Sequence, residues 1–282
     1  MNEKGGTHPM PITMIATDVD GTILPRGGVI SDATRRAAAG CRARGIPFVI
    51  VSGRWIGALG DVMRQCGTED QPLIIVNGSA VLGPGGVLWH ECFMNPEDVK
   101  RVYAVLSRYD VQINSYVPRA LYCLNTRALA HPSSMIKGYL GGGKLVLDDR
   151  AAFEAEALDR VYMLEGLTED TALMDEVRAA LGRETEARVT CSSWRNVELM
   201  SQGMGKAAAL KWLADRLDVE LEDCMAFGDN ANDLDMLAAV GWPVAVGNAA
   251  DAVRRAARIV ADTDANDGVA KVIFERVLGE EA

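Results

Sequence analysis

Residues 12–22 read ITMIATDVDGT, an apolar run that ends in two acids and a glycine-containing turn. Apolar residues dominate the run without alternating regularly with polar ones, which predicts a buried strand over 12–19. Asp18 and Asp20 stand one residue apart at its end and would share a small volume. Two carboxylates so close together repel each other unless a cation or a proton separates them. This stretch therefore predicts a strand of an internal sheet with a charged site at its end.

Outward from this strand, short apolar runs and helical stretches alternate towards both ends of the chain. The expected strands are 12–19, 47–51, 73–76, 224–227, 244–246 and 259–261. The expected helices are one capped by Ser31 or Asp32 and ending near Arg44, followed by 56–65, 206–217, 234–239, 250–258 and 269–278. Strands separated by helices predict an α/β fold, a doubly wound parallel sheet covered on both faces.

The segment between these two halves has a different pattern. Its candidates are strands 111–117, 121–125, 145–147 and 161–167 and helices 96–109 and 171–181. The strand candidates mix polar and apolar residues, which is typical of a sheet with one open face. We therefore expect a discontinuous core domain, residues 12–82 and 196–282, into which an α+β cap domain, residues 83–195, is inserted.

The composition is that of a globular protein, and the net charge is −10. Nucleic acids and anionic membranes attract clustered Lys and Arg, so neither is expected as a partner. No stretch reaches the roughly 18–20 apolar residues that a membrane-spanning helix needs. The six cysteines are scattered without a Cys-x-x-Cys pair, and residues 1–11 lack the apolar run of a signal peptide and predict a flexible leader. We expect a soluble, cytoplasmic protein with reduced thiols.

Four polar clusters follow strands or begin helices. They are DVDGT at 18–22, SGR at 52–54, Lys206 and GDNAND at 228–233. Each has an ordinary explanation by itself, as a turn, a helix cap or a solvated lysine. Because ligands bind outside the carboxyl ends of parallel strands, we expect the clusters to meet at that edge of the sheet.

Together the clusters place up to four acids at one edge: Asp18, Asp20, Asp229 and Asp233. A like-charged pair ~4 Å apart costs on the order of 4 kcal/mol at an effective dielectric constant of ~20. A hard divalent cation removes this cost, and ligation by oxygen alone favours Mg²⁺. The motifs contain neither His nor Cys, which argues against zinc. The sequence thus predicts a magnesium site.

A carboxylate that attacks a phosphate monoester meets the same repulsion, since both are anions. Mg²⁺, Lys206 and the Ser52 hydroxyl would supply the missing positive field at the phosphoryl oxygens. Carboxylate nucleophiles that form an aspartyl-phosphate are an established catalytic route. Asp20 is then placed to protonate the leaving oxygen and later to activate water.

These motifs, in this order, resemble those of the haloacid dehalogenase superfamily. The closest resemblance is to the Cof-type phosphatases, in which a mixed α/β cap lies between the second and third motifs. Further similarities are NG at 77–78, VEL at 197–199, VGNA at 246–249 and NDGVA at 266–270. The resemblance covers nearly the whole core, and the cap is similar only in length and class.

The resemblance implies a role for each matching position. Asp18 would be the nucleophile and a metal ligand, and Asp20 the general acid and base, with its backbone carbonyl on the metal. Asp229 would be the remaining protein ligand, with Asp233 beside it, bound directly or through water. The phosphoryl oxygens would be held by Ser52, Lys206, Asn232 and the N–H groups of Val19 and Gly53.

Other functions are also compatible with the residues. A sugar-phosphate mutase would use the same Asp18 and Asp20, and a signalling receiver would use an acid cluster and a lysine without turnover. The stretch 138–144 has P-loop spacing, but Leu145 stands where Ser or Thr should ligate Mg²⁺. The expected partner is a small phosphate ester, either a sugar phosphate or a phosphorylated cofactor.

Overall fold

A computed structural model describes residues 12–129 and 143–280 of the chain. The predicted leader at 1–11 lies outside the described residues, and so does most of the P-loop-like stretch at 138–144. The strands, in chain order, are β1 Met14–Thr17, β2 Phe48–Val51, β3 Leu73–Ile75, β4 Ala80–Leu82, β5 Leu88–Glu91, β6 Gln112–Val117, β7 Ala120–Leu124, β8 Lys144–Leu147, β9 Met163–Leu167, β10 Arg188–Thr190, β11 Asn196–Met200, β12 Cys224–Gly228, β13 Trp242–Ala245 and β14 Ile259–Val260.

The described helices connect these strands. They are α1 Asp32–Ala43, α2 Gly60–Cys66, α3 Pro96–Leu106, α4 Arg150–Glu156, α5 Thr171–Glu184, α6 Lys206–Leu217, α7 Leu234–Ala239, α8 Asp251–Ala256 and α9 Gly268–Ile273, which continues into a π-helical turn, Phe274–Leu278. Of the two predicted caps for α1, Ser31 is the one observed, since its hydroxyl accepts a hydrogen bond from the N–H of Thr34. No described helix is both long and apolar enough to cross a bilayer.

The first sheet has eight strands in the order β14-β13-β12-β1-β2-β3-β4-β5. The strands from β14 to β3 are parallel, and β4 and β5 extend the edge in antiparallel directions. The helices pack in two separate groups: α1 with α2 and α9, and α6 with α7 and α8. This confirms the predicted doubly wound α/β fold. The strand predicted from ITMIAT is central, and its observed residues, Met14–Thr17, are all buried.

The second sheet has six strands in the order β10-β11-β9-β6-β7-β8. All its pairs are antiparallel except β7 with β8. Helices α3 and α5 pack against each other beside it. This is the mixed α+β architecture that the polar and apolar strand pattern of the central segment predicts.

The two sheets divide the chain at other positions than the predicted domain boundaries, 83 and 195. β5, over Leu88–Glu91, pairs with β4 in the first sheet, although the prediction assigned it to the cap. β11, over Asn196–Met200, pairs with β9 in the second sheet, although the prediction assigned it to the core. β5 forms a hairpin with β4, the strand just before it, and so extends the first sheet. β11 pairs with β9 across α5 and β10, and pairing over that distance leaves no local signal in the sequence.

Candidate active site

The order of the central strands brings three of the predicted clusters together. β1 lies between β12 and β2, and Thr17 is in register with Phe227 on one side and Ile50 on the other. All three strands are parallel and ~4.8 Å from their neighbours. Asp18, Ser52 and the loop that begins at Asp229 therefore follow at the same edge of the sheet.

Three of the four predicted acids form one cluster. Carboxylate oxygens of Asp18, Asp229 and Asp233 all lie within 4.8 Å of one another. Asp18 and Asp233 are buried, and Asp229 is partly buried. Backbone N–H groups fix Asp233, because its Oδ2 accepts hydrogen bonds from Asp229 N at 3.0 Å and Asn230 N at 3.1 Å.

The turn after β1 closes over Asp229. The Thr22 hydroxyl donates a hydrogen bond to Asp229 Oδ1 at 3.2 Å. Gly21 has a φ of 79°, and a Cβ on it would lie 2.6 Å from Asp229 Oδ2. Because both the backbone conformation and this close approach require glycine, the Asp-Gly-Thr turn is shaped around the carboxylate. Thr22 belongs to the predicted DVDGT motif, but the sequence did not predict its hydrogen bond to Asp229.

Lys206 is fully buried at the first position of α6. Its Nζ lies 2.6 Å from Asp18 Oδ1 and 2.6 Å from Asp233 Oδ1. Burial would lower the pKa of Lys206, but the two carboxylates outweigh burial and raise it above its usual value. Lys206 is therefore an ammonium at neutral pH, and the structure places it between two of the predicted site acids.

The acids of this cluster carry more charge than Lys206 balances. Burial raises the pKa of Asp18 well above its ordinary value; the Lys206 ammonium opposes this shift, and the carboxylates of Asp233 and Asp229 add to it. Burial also raises the pKa of Asp229 to about 7, and the carboxylate of Asp233 adds to the rise. Three ionised carboxylates and one ammonium would have an excess of two negative charges, and the raised pKa values of Asp18 and Asp229 reflect the cost of that excess.

This donor set fits the predicted magnesium ion. The cluster offers carboxylate oxygens from Asp18, Asp229 and Asp233, and Mg²⁺ binds oxygen ligands in preference to nitrogen or sulfur. The excess of two negative charges equals the charge that a divalent cation would bring. The fit therefore rests on the chemistry and the charge of the residues.

Asp20 has a different surrounding from the other three acids. Its carboxylate pairs with the guanidinium of Arg54, whose Nε lies 2.7 Å from Asp20 Oδ2 and whose NH2 contacts Oδ1. The Asp20 side chain is 57% exposed. Of the up to four acids expected at this edge, three have their carboxylates in one cluster, and the Asp20 carboxylate instead has a countercharge in Arg54 that the sequence spacing did not reveal.

The predicted phosphate-binding residues lie around the same edge. Ser52 is buried directly after β2, and its Oγ accepts a hydrogen bond from the N–H of Arg54 at 3.1 Å. Asn232 is buried in the loop after β12. Val19 is also buried, and its carbonyl accepts the N–H groups that close the turn after β1.

Two buried residues that sequence reasoning left without a role contact this group. Asn77 Oδ1 accepts a hydrogen bond from Asn232 Nδ2 at 3.2 Å, and Asn77 Nδ2 donates one to Glu198 Oε2 at 2.8 Å. Asn77 could have been found from the sequence, since Asn-Gly follows a predicted strand. Glu198 lies on a strand of the second sheet, 121 residues further along the chain, and no local pattern predicts its contact.

Comparisons with known proteins show which family this chain belongs to. A family model for haloacid dehalogenase-like hydrolases matches residues 15–273. A 5-amino-6-(5-phospho-D-ribitylamino)uracil phosphatase of Bacillus subtilis is 29% identical over 268 residues, which cover 95% of this chain and 96% of the relative. A pyridoxal phosphate phosphatase of Escherichia coli is 26% identical, with 95% of this chain and 100% of the relative covered.

A solved structure shows the same fold. A haloacid dehalogenase-like hydrolase from B. subtilis superposes with a TM-score of 0.81 at 24% sequence identity, covering 93% of this chain and 99% of the other. The family match spans both halves of the first sheet and the whole second sheet. The chain therefore belongs to the haloacid dehalogenase-like hydrolases, as its four motifs predict.

Proposed function

We propose that this protein is a Mg²⁺-dependent phosphatase that hydrolyses small phosphate monoesters through an aspartyl-phosphate on Asp18. The observation that carries the proposal is the position of the Asp18 carboxylate. It lies at the carboxyl end of the central strand, 2.6 Å from a buried ammonium and beside two further acids. A carboxylate can attack an anionic phosphate only where nearby positive charge reduces the repulsion between the two anions.

The metal would be held by residues of the acidic cluster. We assign it the carboxylates of Asp18 and Asp229, the backbone carbonyl of Asp20, and Asp233 either directly or through water. When bound, Mg²⁺ would supply positive charge that lowers the repulsion between the two anions and stabilises the charge of the transition state.

Asp18 is the nucleophile in this proposal. Lys206 engages Oδ1, so we assign the attack to Oδ2. A bond forms between this oxygen and phosphorus while the bond from phosphorus to the ester oxygen breaks. Lys206 holds the carboxylate in place and offsets part of its charge, and the Ser52 hydroxyl, Asn232 and the N–H groups of Val19 and Gly53 would hold the phosphoryl oxygens.

Asp20 moves the protons. In the first step it gives its proton to the leaving ester oxygen, and the alcohol departs. In the second step the Asp20 carboxylate takes a proton from water, whose oxygen attacks phosphorus and frees Asp18, so that inorganic phosphate leaves and Asp20 regains its proton. Asp20 has to leave its pair with Arg54 for this role, and a rotamer change of an exposed side chain takes picoseconds to nanoseconds.

The substrate we propose is a small phosphorylated metabolite. One relative is named for a phosphorylated ribitylamino-uracil and another for pyridoxal phosphate, and in both names the phosphate is carried by a small heterocyclic compound. Phosphorylated cofactors or their precursors and sugar phosphates are therefore the first classes to assay. We assign substrate selection to the part of the chain that forms the second sheet, which we propose acts as a cap over the site.

Two contacts between the region of the second sheet and the loop and helix that follow β12 support the proposed cap position. The side-chain amide of Asn230, beside Asp229, donates a hydrogen bond to the carbonyl of Ser192 at 2.8 Å. Arg188 on β10 forms an ion pair at 2.7 Å with Asp235 at the start of α7. The second sheet therefore contacts the loop that carries the proposed metal ligands, where it can exclude water during the reaction.

The direct test is phosphate release from a panel of phosphorylated metabolites, with Mg²⁺ and with EDTA. We expect hydrolysis of at least one ester, its loss in EDTA and its recovery on adding Mg²⁺. Asp18→Asn should lower turnover by roughly 10³-fold or more without changing the circular dichroism spectrum. Asp175→Asn, on the exposed side of α5, is the matched control and should keep full activity.

Three results would contradict this function. Isomerisation of a sugar phosphate without phosphate release would make the protein a mutase. Phosphorylation of Asp18 without turnover of any ester would indicate a signalling receiver. Undiminished hydrolysis in EDTA would remove the metal from the reaction.

A further inference from the structure

Three buried side chains form a hydrogen-bonded series between the two sheets. Glu198 lies on β11 of the second sheet, Asn77 follows β3 of the first sheet, and Asn232 follows β12. Asn77 Nδ2 donates to Glu198 Oε2 at 2.8 Å, and Asn232 Nδ2 donates to Asn77 Oδ1 at 3.2 Å. All three are at most 5% exposed. The series therefore ends on a residue of the proposed phosphate site.

The hydrogen bonds run in one direction along this series. Glu198 Oε2 is the acceptor at one end, so Asn77 turns its NH₂ group towards Glu198. The carbonyl oxygen of Asn77 then faces Asn232, which donates a hydrogen bond to it from its own NH₂ group. An amide NH₂ group has two N–H bonds, and Asn77 takes up one of those of Asn232.

We infer that Glu198 and Asn77 are positioning residues that orient the Asn232 amide, so that its second N–H is presented to the phosphoryl group of the substrate. This inference rests on the proposed function, because it supplies the phosphate that this N–H would bind. Neither positioning residue has to touch the substrate.

The backbone around Asn77 supports a positioning role. Val76, Asn77 and Gly78 have φ values of 47°, 51° and 96°, a left-handed stretch that a β-branched valine rarely adopts. Such conformations persist only where the surrounding structure holds them. Here the N–H of Asn77 donates to the carbonyl of Ser52 at 3.0 Å, and a Cβ on Gly78 would lie 2.2 Å from the carbonyl oxygen of Gly205.

Asn77 also lies against a second element of the proposed phosphate site. A Cβ added to Gly53 would lie 3.0 Å from Asn77 Oδ1. The side chain of Asn77 therefore occupies the space next to Gly53, whose N–H is one of the proposed phosphate donors. One buried amide thus sets the position of Asn232 and borders the loop after β2.

Glu198 is itself held in place from within the second sheet. Its Oε1 accepts hydrogen bonds from the Ser192 hydroxyl at 2.6 Å and from Asn196 Nδ2 at 3.0 Å. These bonds could stabilise the contact between the sheets without any effect on phosphate. The experiment must therefore measure phosphate binding separately from stability.

Asn77→Gly is the variant of choice, because glycine keeps the left-handed backbone and removes only the side chain. Asn125→Gly is the matched control. Asn125 also has a positive φ, 54°, and its Nδ2 donates to a carboxylate, Asp110 Oδ1, at 3.0 Å, but it lies in the second sheet region after β7. Each variant is assayed with p-nitrophenyl phosphate, with inorganic phosphate as a competitive inhibitor, and by thermal unfolding.

We expect Asn77→Gly to raise the inhibition constant of inorganic phosphate about ten-fold and to lower kcat/KM at least as much. A misdirected Asn232 N–H would lose its hydrogen bond both to bound phosphate and to the phosphoryl group in the transition state. Asn125→Gly should change neither value by more than about two-fold. In an Asn232→Ala background, Asn77→Gly should have no further effect on phosphate inhibition. This non-additivity is specific to positioning, because a loss of stability alone would not produce it.

The inference fails if Asn77→Gly leaves phosphate inhibition and kcat/KM within two-fold of wild type, or if its effect simply adds to that of Asn232→Ala. If Asn77→Gly does not fold, Glu198→Gln takes its place. It should raise the phosphate inhibition constant at least three-fold in the wild-type background and have no further effect in the Asn232→Ala background. An unchanged constant in folded Glu198→Gln then overturns the inference. A wild-type enzyme that hydrolyses no ester contradicts the proposed function instead.

Discussion

Lys206 is fully buried, and its Nζ lies 2.6 Å from a carboxylate oxygen of Asp18 and 2.6 Å from one of Asp233. Taking an ammonium out of water is costly, and the two carboxylates repay this cost only while all three groups stay together. Each carboxylate is likewise buried. The stability of the site therefore depends on the lysine as much as its proposed chemistry does.

Replacing Lys206 with methionine should destabilise the fold by about 3–5 kcal/mol in metal-free buffer, because two buried carboxylates lose their countercharge. Urea unfolding in the presence of EDTA measures this change. Lys211→Met is the matched control on the same helix, since Lys211 forms an exposed pair with Asp215, and it should cost less than about 0.5 kcal/mol. Equal losses in the two variants would show that the buried ammonium contributes nothing special.

At the scale of single elements, the loop over Val76–Gly78 packs on the start of α6. Gly78 has a φ of 96°, and an added Cβ would lie 2.2 Å from Gly205 O and 3.0 Å from Lys206 N. The loop therefore fixes the end of the helix that carries the buried lysine. Any side chain at position 78 would push these two elements apart.

Gly78→Ala should destabilise the protein by more than about 1 kcal/mol, because alanine meets both a left-handed backbone and a close contact. Gly182→Ala is the control within α5, where an added Cβ has nothing within 4 Å. That substitution should stabilise the protein by about 0.5–1 kcal/mol through helix propensity. The urea-unfolding midpoint should therefore fall in Gly78→Ala and rise in Gly182→Ala. An unchanged midpoint in Gly78→Ala would contradict this packing.

β11 places a buried acid between the sheets, and its titration should be visible in stability. Burial, with repulsion from Glu165, raises the pKa of Glu198 from 4.5 to about 7, although hydrogen bonds from Ser192 and Asn77 oppose the rise. Below pH 4.5 the carboxyl is protonated in both folded and unfolded chains, and the shift has no effect. Between 4.5 and about 7 only the folded state keeps the proton, so stability falls as pH rises.

Glu198→Gln removes this titration. Relative to wild type, the variant should gain stability on going from about pH 5 to about pH 8, by up to roughly 3 kcal/mol. Urea unfolding of both proteins at the two pH values measures the difference, and any constant cost of the substitution cancels. A difference that does not change with pH would show that Glu198 titrates normally.

At the scale of the whole molecule, the sequence predicts elements whose environment is set locally. α6 has the predicted limits, 206–217, and β1 lies within the predicted strand 12–19 but is shorter, Met14–Thr17, because a buried apolar run and a helix start leave clear local patterns. The acidic cluster was predictable for a related reason, since parallel strands bring their carboxyl ends to one edge. Contacts set by distant residues were not predictable: β11 joins the second sheet, and Asp20 pairs with Arg54.

The distinction between local patterns and contacts of distant residues also explains which site residues the sequence predicts. Asp18, Lys206, Asp229 and Asp233 were identifiable because their residue types follow strands or begin a helix within recognisable motifs. The contact between Asn77 and Glu198 joins the two sheets, and neither residue predicts it alone. Features that depend on how the second sheet packs over the first therefore become visible only in the folded chain.

The proposed mechanism requires a covalent bond between phosphorus and Asp18, which acid quenching during turnover can trap. Mass spectrometry of the digested protein should find one phosphoryl group on the peptide that contains Asp18, and none on the same peptide from Asp18→Asn. A phosphoryl group on another residue, or wild-type turnover by the Asp18→Asn variant, would contradict the account.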